Sequence, residues 1–242
     1  MVETGTIQKI SLHSFHLDET FDLFIYIPAN YTPFNKYNTL IASDGKDYFQ
    51  LGGISHIADE LIEDYEIENL IIVGIPYKNA QDRKRKYIPT GDQHEAYLNF
   101  LAHELVPFID KEFSTAGTAA SRGLIGDSMA ATVSLLAALK YPNIFGKVIL
   151  QSPYVDDSVL KIVEETPTRD SLIIYHTVGK QEDEAVTFYK DIKDFLTPNR
   201  KLHQLLVSKN YRHMIYEELE GNHTWKTWKP ELRKALSNTF GI

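Results

Sequence analysis

The 242-residue sequence predicts an α/β fold, a mostly parallel central sheet with helices on both faces. Three observations carry that prediction. Short apolar runs alternate along the chain with segments whose apolar residues recur at helical spacing. Some of the runs, "NLIIVGIP" above all, are apolar almost without a break, as in a strand covered on both faces. No internal repeat, low-complexity tract or Pro/Gly/Ser-rich linker divides the chain, so residues 1–242 read as one domain.

The elements follow in order. "IQKISLHSF" and "FDLFIYIP" form an antiparallel pair joined by the polar "HLDET". "NTLIASDG" is a short buried strand stopped by Asp44-Gly45. "ISHIADELIEDYE" carries Ile54, Ile57, Ala58, Leu61 and Ile62 on one helical face. "NLIIVGIP" is the next strand, and residues 76–92 read as a long polar loop. "HEAYLNFLAHELVPFIDKEF" is a helix, with a bend expected near Pro107. "RGLIGD" is a strand, 129–140 a helix and "GKVILQSP" another strand. "SLIIYHTVG" is followed by a helical stretch, a turn at "TPNR" and more helix. "RHMIYEELE" is a late strand, and "WKPELRKALSNTF" closes the chain as a helix.

Composition narrows the function. At 43 % hydrophobic and 24 % charged, a chain of this length can bury a core without staples. It has no cysteine, which excludes thiol catalysis, cysteine-ligated zinc and disulfides and fits a reducing compartment. "MVETGTIQKISLHSF" lacks the apolar run of a signal peptide, and no segment is long enough to span a bilayer. A net charge of −8 argues against nucleic acid or an anionic membrane as partner. The expectation is a cytoplasmic protein acting on a small molecule, its oligomeric state open.

In a parallel sheet, ligands sit at the carboxyl ends of the strands. That singles out the loops after Ser43, Pro76, Asp127, Gln151, Gly179 and Glu220. In "GLIGDSMAATVSLLAALKYP", Ser128 stands between a strand and a helix, flanked by Gly126 and Ala130. A sharp strand-to-helix turn of this kind exposes a nucleophilic hydroxyl above the sheet. The alternative is that Ser128 caps the helix.

A serine hydroxyl needs a base. Of nine histidines, His223 in "LEGNHTWKTW" follows the last strand and precedes the last helix, after a Gly221-Asn222 turn. The other histidines, with no HExxH or comparable metal spacing, read as structural or surface residues. An acid must orient the imidazole. "VGKQEDEAV" offers Glu182 first and Asp183 second; these acids would equally suit a helix N-terminus. Backbone amides must stabilise the oxyanion: that of Met129, directly after the serine, and that of Lys46, after the Asp44-Gly45 turn.

These stretches resemble the putative esterase family of α/β-hydrolases, which includes esterase D-type enzymes, feruloyl esterases, siderophore esterases and mycolyltransferases. The resemblance rests on "TLIASDGKDYF", "RKRKYIPTGDQHEAYLNFLAHELVPFIDKEF", "GLIGDSMAATVSLLAALKYPNIFGKVILQSP" and "EGNHTWKTWKPEL" and runs from about residue 20 to the end. It implies an α/β-hydrolase fold and a triad of Ser128, His223 and Glu182, rather than Asp183. It also implies an oxyanion hole from the Met129 and Lys46 amides. The chain departs from the pattern at Ala130, where glycine is usual. No counterpart of the extra N-terminal domain of larger siderophore esterases is read in the sequence, and the expectation is that a large catecholate is not the substrate.

The expected activity is hydrolysis of a small carboxylic ester through an acyl-enzyme, with no metal or organic cofactor. The alternatives are an acyltransferase on the same triad, a siderophore-type ester hydrolase, and a non-catalytic binding protein of the same fold. The basic run Arg83–Lys86 reads first as a solvated face; the sharper expectation is that Arg83 binds an anionic or hydroxylated acyl group. Tyr48, Phe49, Tyr154 and Trp225 are expected to line the pocket.

Overall fold

A computed structural model of the chain describes residues 3–187 and 190–242. Its strands are β1 (Thr6–Ser14), β2 (Glu19–Ile27), β3 (Asn38–Ser43), β4 (Leu70–Ile75), β5 (Arg122–Asp127), β6 (Lys147–Gln151), β7 (Ile173–Gly179), β8 (Ala185–Val186), β9 (Ile192–Lys193) and β10 (His213–Leu219). Eight of them form one sheet in the order β1-β2-β4-β3-β5-β6-β7-β10, and β8 and β9 pair separately. β2 runs antiparallel to both β1 and β4; every pairing from β4 to β10 is parallel.

The helices are α1 (Gly45–Asp47), α2 (Ile54–Glu63), α3 (Ala80–Tyr87), α4 (His94–Asn99), α5 (Val106–Glu112), α6 (Met129–Lys140), α7 (Asp157–Glu165), α8 (Leu196–Ser208) and α9 (Trp225–Phe240). Alternate strand residues point to opposite faces and so serve two cores. Leu40, Ala42 and Ile72 pack with α2 and α9 residues such as Leu61 and Leu236. Ile41, Ile71 and Val73 pack with Leu101, Val133 and Leu202 from the other side. Among the described residues, no helix is long and apolar enough to cross a membrane.

Three expectations need correction. Residues 76–92 are not an open loop, because they contain α3, whose first turn is closed by the Asn79 side chain accepting from the Asp82 amide at 3.0 Å. The face α3 buries is Asp82, Arg83, Lys86 and Tyr87. Ion pairs rather than hydrocarbon satisfy most of it, so no apolar period announces the helix. Second, the stretch after Gly179 is a tight turn and the β8–β9 hairpin, not a helix; Phe188 and Tyr189, within the expected helix, lie outside the described residues, as do Met1 and Val2. Third, "TPNR" lies inside α8. Pro198 stands in the first turn, where a missing N–H costs nothing. The bend expected near Pro107 takes the form of a π-helical stretch, Phe100–Leu105, between α4 and α5.

The register aligns the carboxyl ends of the strands. Asp127 pairs with Gln151, Gln151 with Thr177, and Gly179 with Leu219. The residues that follow β3, β5, β6, β7 and β10 therefore emerge along one edge of the sheet.

Candidate active site

Three neighbouring strands end in the same unusual way. Asp44 after β3, Ser128 after β5 and Ser152 after β6 have φ of 59°, 54° and 49°. A side-chain-bearing residue adopts such a backbone only where the surroundings hold it there. At Ser128 the amide donates to the Gln151 carbonyl at 2.9 Å. The Ser128 carbonyl accepts from Ala131, Thr132 and Tyr154. Its ψ of −124° turns the chain directly into α6, and its side chain makes no capping bond. The helix-cap reading therefore fails. The turn is this tight because Gly126 has no side chain: a Cβ there would lie 2.2 Å from the Ala130 carbonyl carbon. Ala130 is fully buried with ordinary helical geometry, so the usual glycine is not required at that position.

His223 and Glu182 meet across the sheet edge. His223 Nδ1 lies 2.7 Å from Glu182 Oε2. A carboxylate oxygen accepts, so Nδ1 is the donor in this bond and Nε2 is the ring nitrogen that the acid leaves unengaged. Glu182 is wholly buried, and its second oxygen accepts from the Ser152 hydroxyl at 2.6 Å and the Gly179 amide at 2.8 Å. Trp228 Nε1 in turn donates to Ser152 Oγ at 2.9 Å. The imidazole is sandwiched by apolar rings: Phe195 stacks at 3.9 Å and Trp228 meets it edge-on at 4.9 Å. Asp183 is exposed and makes no contact with the ring, so Glu182 is the acid brought to His223.

Ser128, Met129 and His223 line one cleft of about 640 Å³, walled by Tyr77, Tyr154, Phe195, Trp225 and Trp228. The Met129 amide is the first of α6, and such amides have no partner within their own helix. Lys46 lies in the single turn α1, with its side chain in solvent. Of the expected pocket residues, Tyr154 and Trp225 do line the cleft. Tyr48 does not: it is fully buried, its hydroxyl donates to Gln151 Oε1, and Trp225 covers its ring. Phe49 packs on Phe24 instead. Arg83 reaches the cleft wall, but its guanidinium is buried in a two-bond pair with Asp44 and cannot serve first as a substrate's counter-charge. Lys86 is buried on Glu19 and Asp82, and Arg85 pairs with Asp92. Phe195, Ser152 and Trp228 surround the His223–Glu182 pair and are residues that the sequence reading did not single out. The only signal for them is position, since Ser152 follows a strand and Trp228 lies in the turn of helix after His223.

Asp127, beside the candidate nucleophile, is buried and its Oδ1 has no hydrogen-bond partner. Burial and the nearby Asp44 push its carboxyl up to about 8, against the opposing pull of Arg83. The folded state thus holds a proton that the unfolded chain, titrating near 4, has released. The contribution of this group to stability falls as pH rises from about 4 to about 8, by at most about 1.4 kcal/mol per pH unit. Asp127→Asn removes the proton. Denaturant unfolding of both proteins across that range is expected to show the variant gaining on the parent with each pH unit. Parallel curves would mean that Asp127 is ionised in the fold.

Residues 14–239 match the family model described as Putative esterase. The uncharacterized protein YjcH of Bacillus subtilis (strain 168) is 45% identical over 234 residues, 97% of each chain. Among solved structures, the enterobactin esterase FES from Shigella flexneri, in the presence of enterobactin, superposes with a TM-score of 0.84 at 16% identity. That match covers 97% of this chain and 59% of the other, so this chain spans well under two thirds of that enzyme's length. A ferulic acid esterase superposes with a TM-score of 0.78 at 17% identity, over 98% of each chain. Likeness at such identity establishes the fold, that of the α/β-hydrolases.

Proposed function

This chain belongs to the putative esterase family, and from that premise we propose that it is a serine carboxylic-ester hydrolase working through an acyl-enzyme. Family membership supports ester hydrolysis; the residue roles are our reading. His223 Nε2 takes the proton from Ser128 Oγ as the oxygen attacks the ester carbonyl. The Met129 and Lys46 amides donate to the oxygen as it gains charge, each contributing roughly 10²–10³ in rate. Collapse expels the alcohol, protonated by His223, and leaves the acyl group on Ser128. Water, activated by the same imidazole, then releases the acid. Glu182 fixes the tautomer and stabilises the imidazolium.

The observation that carries this reading is the 2.7 Å bond between His223 Nδ1 and a fully buried Glu182, opening on the cleft that contains Ser128. A cleft of about 640 Å³ with aromatic walls suits a small ester with an apolar acyl or alcohol part. The test is a panel of p-nitrophenyl esters running from acetyl to decanoyl, with a benzoyl member. At least one is expected to turn over with saturation, after a burst of p-nitrophenol of about one equivalent per enzyme. A folded protein that turns over none of them would overturn the proposal.

A further inference from the structure

The Asp44–Asp47 turn, which carries the Lys46 amide, is gripped at both ends by one neighbouring segment. At its start, the Arg83 guanidinium donates through Nε and Nη2 to the two oxygens of Asp44. At its end, the Tyr77 hydroxyl donates to Asp47 Oδ2 at 3.2 Å. The two grips touch, because the Arg83 guanidinium lies over the Tyr77 ring at 5.1 Å. The turn has little freedom elsewhere. Asp44 holds a left-handed backbone, and Gly45 packs so closely on Gly74 that a Cβ would come within 2.2 Å of its Cα. The gripping segment is itself anchored: buried Lys86 of α3 pairs with Glu19 of β2 and with Asp82. Arg83 and Asp127, the last residue of β5, both line the cleft that contains Ser128. Arg83 therefore ties the turn after β3 to α3, beside the cleft that Asp127 and Ser128 also line.

We propose that residues 77–87 act as a clamp on the oxyanion turn, with Arg83 as a positioning residue that holds the Lys46 amide in place through Asp44. The inference rests on the esterase reading above. It turns the expected substrate-binding arginine into part of the scaffold. A planar two-bond fork fixes both the direction and the distance of Asp44, which an ammonium cannot do. An amide displaced by even a fraction of an ångström still permits substrate to bind but stabilises the oxyanion less.

The experiment compares the parent with Arg83→Lys, which keeps the buried charge paired, and Tyr77→Phe, which removes one hydroxyl and little packing. Active enzyme is titrated with a fluorophosphonate, so that rates are read per folded site. Arg83→Lys is expected to lower kcat by about 10- to 50-fold and Tyr77→Phe by about 3- to 5-fold, with KM for a neutral ester within about threefold. Anionic and neutral esters should lose rate equally. An unchanged kcat per titrated site in both variants would overturn the clamp. So would a rise in KM confined to anionic esters, which would make Arg83 a substrate contact. A parent inactive on every ester would instead overturn the esterase reading itself.

Discussion

Replacing Ser128 by alanine is expected to lower kcat on the preferred ester by about 10⁴- to 10⁶-fold, with KM and the unfolding midpoint little changed. The hydroxyl is the only group in the cleft that the mechanism asks to form a bond to carbon. Its loss leaves the oxyanion amides and the imidazole in place but nothing for them to activate. The side chain caps no helix end, so no structural bond is lost with it. The left-handed backbone at residue 128 costs alanine about as much as serine. Steady-state kinetics with circular dichroism check both halves of this expectation. A variant that keeps a tenth of the parent's kcat would remove Ser128 from the reaction.

The second large effect is expected at Glu182. Glu182→Gln keeps the shape of the side chain, yet should cost about 10³- to 10⁴-fold in kcat. The reason lies in the donors around the second carboxylate oxygen. The Gly179 amide and the Ser152 hydroxyl both point at Oε1, and the backbone amide can only donate. The glutamine oxygen must therefore take that place, which turns its NH₂ towards His223 Nδ1. Nδ1 then has to accept, the ring proton moves to Nε2, and the nitrogen that should act as base is blocked. Removing the hydroxyl that Trp228 and Glu182 share, by Ser152→Ala, leaves the tautomer alone and should cost far less. Measuring kcat for the two variants side by side separates loss of the tautomer from loosening of the site. Equal, small effects would make Glu182 a packing residue.

Much of this site was legible because its chemistry depends on chain order and on strand ends. Ser128, Glu182 and His223 each follow a strand, and the period of the apolar runs locates those ends within a residue or two. Of the two acids the sequence offers, the structure brings Glu182 to His223, its amide bonding back to the Gly179 carbonyl at 3.2 Å. What the sequence hid is the polar burial. α3 packs through Arg83 and Lys86, whose charges read as solvent-facing, while their partners Asp44 and Glu19 lie 39 and 67 residues away in the chain. Tyr48 was expected in the pocket because it follows a catalytic-end turn. The π-helical stretch that begins at Tyr48 instead carries it beneath Trp225, where its hydroxyl finds Gln151. Hydrophobic periodicity carries no information about such pairs, which only the three-dimensional register brings together.

The central claim is that Ser128 is an activated nucleophile. The most direct measurement is the mass of the folded protein after brief exposure to a fluorophosphonate, followed by peptide mapping. A single adduct on Ser128, formed at least 10³-fold faster than in urea and absent from Ser128→Ala, is the predicted result. A folded protein left unmodified, or modified at another serine, would contradict it.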